Sequence, residues 1–127
     1  PAVRRAWAER LGKLVRLMHA RQVSHRDLKA PNVLLAGATT DPAAATPVLI
    51  DLVGVEVGRP VSDTTRVRDL ARLNASFLGS PHVSRTDRLR VLRTYLGRGD
   101  WKTWWRRVDS ATRAKAARNE RTGRPLS

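Results

Sequence analysis

Between His25 and Asp51 the chain sets out residues whose types could carry one reaction. His25-Arg26-Asp27-Leu28-Lys29-Ala30-Pro31-Asn32 forms an unbroken stretch, and Asp51 follows 19 residues after the asparagine. Moving a phosphoryl group from ATP to an alcohol needs a carboxylate that accepts or orients the proton of the attacking hydroxyl. It also needs a cation near the moving group, and oxygen ligands that hold magnesium against the phosphates. Asp27, Lys29, Asn32 and Asp51 supply those parts. Taken singly, each has an ordinary alternative: Lys29 as an exposed loop lysine, Asp51 as a strand-end turn residue, the whole stretch as solvated loop. Residue types, order and flanking elements agree, which favours the chemical reading.

Two short apolar runs could position these groups. Val33-Leu34-Leu35 suits a strand. Val48-Leu49-Ile50 begins a second one, interrupted by Asp51 and resuming through Val53, Val55 and Val57 until Gly58-Arg59-Pro60 ends it. Residues 36–47 are small and broken by proline, as a loop is. A hairpin built this way sets its two ends side by side, and so brings Asn32 close to Asp51.

The rest of the chain reads as helix. Over residues 2–20, Val3, Trp7, Leu11, Leu14, Val15 and Met18 recur at helical spacing, with Arg4, Arg5, Arg10, Lys13 and Arg16 on other faces. Residues 21–31 lose that period. Asp63 or Thr64 could cap a helix over 65–78 with Val67, Leu70, Leu73 and Phe77 inward. Ser84 with Asp87 three residues on is a capping-box signature for a helix to Leu96, with Leu89, Leu92 and Leu96 as its apolar stripe. Asp100 caps a last helix in which Trp101, Trp104, Trp105 and Val108 share a side, and fraying is expected beyond Ala117. His19 and His82 read as helix-end and loop histidines, and not as metal ligands.

Composition bounds the function. The chain has 127 residues, 41% hydrophobic and 28% charged, which suits one folded unit and argues against disorder. It has no cysteine, so disulfide scaffolds, thiolate zinc sites and cysteine nucleophiles are excluded. No apolar run approaches the roughly 20 residues that span a bilayer, and no secretory signal pattern opens the chain. The charge is abnormal: 25 basic residues against 11 acidic ones, a net +14. Such a domain attracts phosphates, nucleic acid or an anionic membrane surface. Trp101, Trp104 and Trp105 amid Lys102, Arg106, Arg107 and Arg113 read first as a packing face and second as a membrane-interface patch.

The stretch from His25 to Asn32 resembles the catalytic loop of the protein kinase-like superfamily, meeting its His-Arg-Asp-Leu-x-x-x-Asn pattern residue for residue. Leu17-Met18-His19 closes a helix six residues upstream, as the long helix before that loop does in kinases. Two departures narrow the resemblance. Where a protein kinase has Asp-Phe-Gly, this chain has Asp51-Leu52-Val53-Gly54, and a helix follows too soon for a peptide-binding activation segment. Arg68-Asp69-Leu70-Ala71-Arg72-Leu73-Asn74, then Val83-Ser84-Arg85-Thr86-Asp87-Arg88-Leu89, and the closing Arg121-Thr122-Gly123-Arg124-Pro125 are similar to the lipopolysaccharide core (Kdo and heptose) kinase family.

That resemblance implies an α+β fold: the mostly helical C-terminal lobe of a protein kinase-like fold, with a small β-hairpin carrying the catalytic and metal-binding loops, over the whole of residues 1–127. The N-terminal lobe is expected to be missing, since the chain opens on Pro1 and no Gly-x-Gly-x-x-Gly occurs in it. The resemblance further implies Asp27 as catalytic base, Lys29 as charge stabiliser and nucleotide contact, and Asn32 and Asp51 as magnesium ligands. Leu34 and Ile50 would floor the adenine, while His25, Arg26 and Asp69 would support the loop. ATP and magnesium are the implied cofactors. An anionic glycolipid phosphorylated on a sugar hydroxyl is the implied acceptor, met in the cytoplasm with peripheral contact to the inner face of the cytoplasmic membrane. A Ser/Thr-type protein kinase, a pseudokinase and a basic nucleic-acid-binding module are the alternatives. The last is disfavoured because no helix-turn-helix, zinc-finger or base-stacking signature is present.

Overall fold

In the computed structural model, residues 2–25, 28–29, 33–36, 46–49, 55–78 and 80–122 are described. The first element is helix α1 (Ala2–Ala20), whose Ala8, Leu11, Val15 and Met18 form a buried stripe. It ends where Gln22 adopts φ 61°, the left-handed region, with the Gln22 N–H donating to the His19 carbonyl at 3.0 Å. Strand β1 (Val23–His25) follows at once.

The four strands form two separate antiparallel pairs. Strands β2 (Val33–Ala36) and β3 (Thr46–Leu49) make the expected hairpin, in the register Val33↔Leu49 to Ala36↔Thr46. The segment expected to continue β3 does something else. Strand β4 (Val55–Val57) pairs with β1, with Ser24 opposite Glu56 and His25 opposite Val55. The expected second strand is therefore divided between two sheets. Neither β1 nor its pairing has a local sequence signal, because three residues are too few to show a period and the partner lies some 30 residues away.

Three helices complete the lobe. Helix α2 (Asp63–Phe77) is capped by Ser62, not by Asp63 or Thr64: the Ser62 hydroxyl accepts from the Thr65 N–H at 3.2 Å. Val67, Leu70, Leu73 and Phe77 are buried as the spacing predicts. Helix α3 (Arg85–Leu96) carries the full capping box. The Asp87 N–H donates to the Ser84 hydroxyl at 3.1 Å, and the Ser84 N–H donates to the Asp87 carboxylate at 3.0 Å. Burial pushes the Asp87 carboxyl up, but the Ser84 hydrogen bonds and the Arg4 and Arg90 charges outweigh it and hold the group below the ordinary carboxylate value. The buried stripe of α3 is rotated from the expected one, with Val91, Leu92 and Tyr95 inside and Leu89 and Leu96 only partly covered.

Helix α4 (Trp101–Thr122) begins at Asp100, whose carboxylate accepts from the Thr103 N–H at 3.2 Å and from the Thr103 hydroxyl at 2.6 Å. It runs past Ala117, where fraying is expected, to Thr122. The reason is tertiary. Its C-terminal half lies along α2, with Ala111, Lys115 and Asn119 recurring every fourth residue on that side. Trp104 and Trp105 pack against the core, and Trp7 meets Phe77 edge to face at 5.4 Å.

Helices α1 and α3 cross closely because Gly12 lies between them. A Cβ there would stand 2.5 Å from the Val91 carbonyl oxygen and 2.9 Å from the Thr94 Cβ. The core is thus a helical layer closed by α1, α2 and α3, with Val108 of α4 and with Leu28 from the segment after β1. Among the described residues, no helix is long and apolar enough to cross a membrane.

Candidate active site

The segment expected to carry chemistry begins at the end of β1, and Leu28 and Lys29 are its next described residues. His25 and Leu28 are both fully buried, so the chain is held in the core on either side of residues 26–27. Lys29 follows, half-buried. Asp27, Asn32 and Asp51, with Arg26 and Ile50, lie outside the described residues. The hairpin frames two of them. β2 starts one residue after Asn32, β3 ends two residues before Asp51, and Val33 and Leu49 are the paired ends. Leu34 is in β2 opposite Val48.

Asp69 is where the geometry is densest. Its carboxylate is fully buried on α2 and accepts from the Ser24 hydroxyl of β1 at 3.0 Å. His19, the second-last residue of α1 and itself 1% exposed, places Nε2 at 2.8 Å from the same oxygen. The Asp69 carboxylate can only accept, so the Nε2–H donates. The other ring nitrogen, Nδ1, lies 2.7 Å from the Tyr95 hydroxyl of α3. Arg66 in turn donates to that hydroxyl at 2.9 Å. Burial pushes the Tyr95 hydroxyl above the ordinary phenolic value, and the Arg66 guanidinium offsets this only in part. Tyr95 therefore keeps its proton at neutral pH and has it to give to Nδ1.

Arg68 completes the cluster from the solvent side. Its guanidinium donates to Ser24 at 3.2 Å and to the second Asp69 oxygen at 3.3 Å. One connected set of hydrogen bonds thus joins the end of α1, strand β1, the start of α2 and the end of α3. A buried carboxylate satisfied this fully rigidifies what it touches. What it touches is the strand that leads, in three residues, to Asp27.

Sequence reasoning singled out Asp69 and His25 and missed Ser24, Arg66 and Tyr95. His19 sits at a helix end as expected, yet it is a buried partner of Asp69. A signal for it existed: Leu11, Val15 and His19 are spaced by four, which sets the histidine on the buried face. Nothing local could have linked Ser24 to Asp69, 45 positions apart. Among the described residues, no group of three or more His, Cys, Asp or Glu could hold a metal ion.

Comparison with known proteins fits this architecture. No curated protein matches the chain. Among solved structures it is similar to WaaP, in a structure titled "WaaP in complex with acyl carrier protein", with a TM-score of 0.74 and 28% sequence identity. The match covers 95% of this chain and 50% of that one, so the chain spans half the length of the WaaP chain it resembles. Its fold is accordingly the mostly helical α+β lobe that the kinase-like pattern implies. The profile of the lipopolysaccharide kinase (Kdo/WaaP) family matches residues 1–95, from α1 through the catalytic-loop pattern, the hairpin and the Asp69 cluster to Tyr95. With three quarters of its length so matched, the chain belongs to the lipopolysaccharide kinase (Kdo/WaaP) family.

Proposed function

We propose that this chain is the catalytic and metal-binding half of a kinase that transfers the terminal phosphate of ATP to a sugar hydroxyl of a lipopolysaccharide-like glycolipid. The observation that supports it most is the pairing of Val33 with Leu49, the strand ends next to Asn32 and Asp51 in the chain. Asp27 is the catalytic base in this reading and Lys29 the cation beside the moving phosphoryl group. Leu34 and Ile50 form the floor for the adenine, and His25, Arg26 and Asp69 hold the loop.

Asn32 and Asp51 offer one amide oxygen and one carboxylate. That set suits magnesium, which takes oxygen ligands and fills its remaining positions with water and substrate phosphate. Bound there, the ion would neutralise charge on the phosphate oxygens. The chain's own residues do the rest: Asp27 orients the acceptor hydroxyl and takes its proton, and the Asp69 cluster fixes the strand from which Asp27 follows.

An N-terminal kinase lobe is the first proposed partner. Acyl carrier protein, bound to the matched WaaP, is a second. A cytoplasmic place at the inner membrane face, with contact to anionic lipid through the +14 charge, completes the reading. The test is acceptor choice. With the N-terminal lobe supplied, labelled phosphate from ATP should pass to a lipopolysaccharide acceptor and not to protein or peptide. Transfer to peptide alone would overturn the reading. The chain alone should bind magnesium–ATP weakly and transfer nothing measurable, because an uncovered triphosphate stays hydrated and mobile.

A further inference from the structure

Helices α2 and α4 enclose a groove of about 620 Å³ between them. Its walls carry Arg68 and Arg72 from α2 and Lys115, Arg118 and Arg121 from α4. No carboxylate is among the described residues that line it. The floor is made of small apolar side chains, Val67, Ala71 and Ala111, so the cations stand around a cleft and are not spread over a convex face. Four of the five are arginines, whose planar forks match phosphate oxygens two at a time. Thr64 and Asn119 add neutral hydrogen-bonding groups of the kind a sugar needs.

The groove also has a defined relation to the site. Arg68 forms part of its wall and at the same time bonds Ser24 at 3.2 Å and Asp69 at 3.3 Å. One end of the groove therefore abuts β1, three residues before Asp27.

We infer that the groove between α2 and α4 binds phosphate groups already present on the acceptor glycan, and so holds the acceptor beside the transfer site. The inference rests on the glycolipid-kinase reading and adds to it a recognition site apart from the catalytic loop. The chemistry selected is a sugar carrying one or more phosphate esters. A cleft of this volume admits about a phosphorylated disaccharide, and its concentration of one sign of charge in a concave, partly apolar wall strengthens attraction for such an anion.

The probe is a disaccharide bisphosphate, titrated at fixed ionic strength by calorimetry and by amide chemical shifts, with the dephosphorylated disaccharide as control. The bisphosphate should bind and shift amides of residues 64–72 and 111–121, and the control should do neither. Arg72→Gln/Lys115→Gln/Arg121→Gln should weaken binding at least about tenfold. Arg121→Glu alone, at an exposed position near the end of α4, should weaken it measurably with the far-ultraviolet circular dichroism unchanged. Equal binding by both variants, or shifts confined to other elements, would overturn the inference. So would acyl carrier protein or duplex DNA displacing the bisphosphate through these same residues at lower concentration.

The groove and the kinase reading fail separately. Asp27→Ala should lower transfer steeply and leave bisphosphate binding intact. Groove-dependent binding by a protein that phosphorylates no glycolipid would uphold the groove and end the kinase reading. Full transfer by the groove variants would do the reverse.

Discussion

Asp27→Ala, in a protein that carries the N-terminal lobe, should lower phosphoryl transfer by roughly 10²–10⁴-fold, the range that a positioned general base contributes. Asp51→Ala should be at least as damaging, and the two losses should differ in kind. Asp51 is assigned to the ion and through it to the nucleotide, so its loss should also weaken magnesium–nucleotide binding. Asp27 is assigned only to the acceptor, so its loss should lower turnover with nucleotide affinity nearly intact. Steady-state transfer combined with nucleotide titration separates the two. Near-parental turnover in either variant would remove the assigned roles.

Asp69→Ala should have the largest effect on stability of any single change in the described residues. It would take the acceptor from the His19 Nε2–H and from the Ser24 hydroxyl, both buried, and remove one partner of Arg68. Leaving two buried donors without an acceptor costs about 1–3 kcal/mol each. Against a domain whose whole stability is roughly 5–15 kcal/mol, that is a large share. Urea unfolding should show the lowered midpoint, and amide exchange should show Ser24 and His25 losing protection first. Tyr95→Phe, which removes a donor to His19 and an acceptor for Arg66 but keeps the ring, should cost about 1–2 kcal/mol. A midpoint unmoved by Asp69→Ala would mean that the cluster does not hold β1.

The contrast between these residues explains what sequence reading could reach. The Ser84–Asp87 capping box and the Asp100 cap are visible in the chain because their partners lie three residues apart. The β2–β3 hairpin is visible because its apolar runs are separated in the sequence by small residues broken by proline. The division of the following segment into β3 and β4 is not visible, since β4 is chosen by β1 and β1 has no pattern of its own. The C-terminal end of α4 is hidden for a related reason: a basic, polar stretch remains helical because it lies along α2. The catalytic-loop pattern was legible as residue types in order. The Asp69 cluster was legible only at its centre, because Ser24 of β1 and Tyr95 of α3 reach that carboxylate and histidine from elsewhere in the chain, and Arg66 joins only through Tyr95.

The central claim is that Asn32 and Asp51 hold a metal–nucleotide complex at the paired ends of the hairpin, and paramagnetic relaxation tests it directly. Manganese can replace magnesium as an oxygen-liganded ion, and with ADP it would broaden nearby amides even when binding is weak. The account predicts broadening centred on Val33 and Leu49 that fades toward Ala36 and Thr46, persists in Asp27→Ala and vanishes in Asp51→Ala. Broadening centred elsewhere, or unchanged in Asp51→Ala, would contradict it.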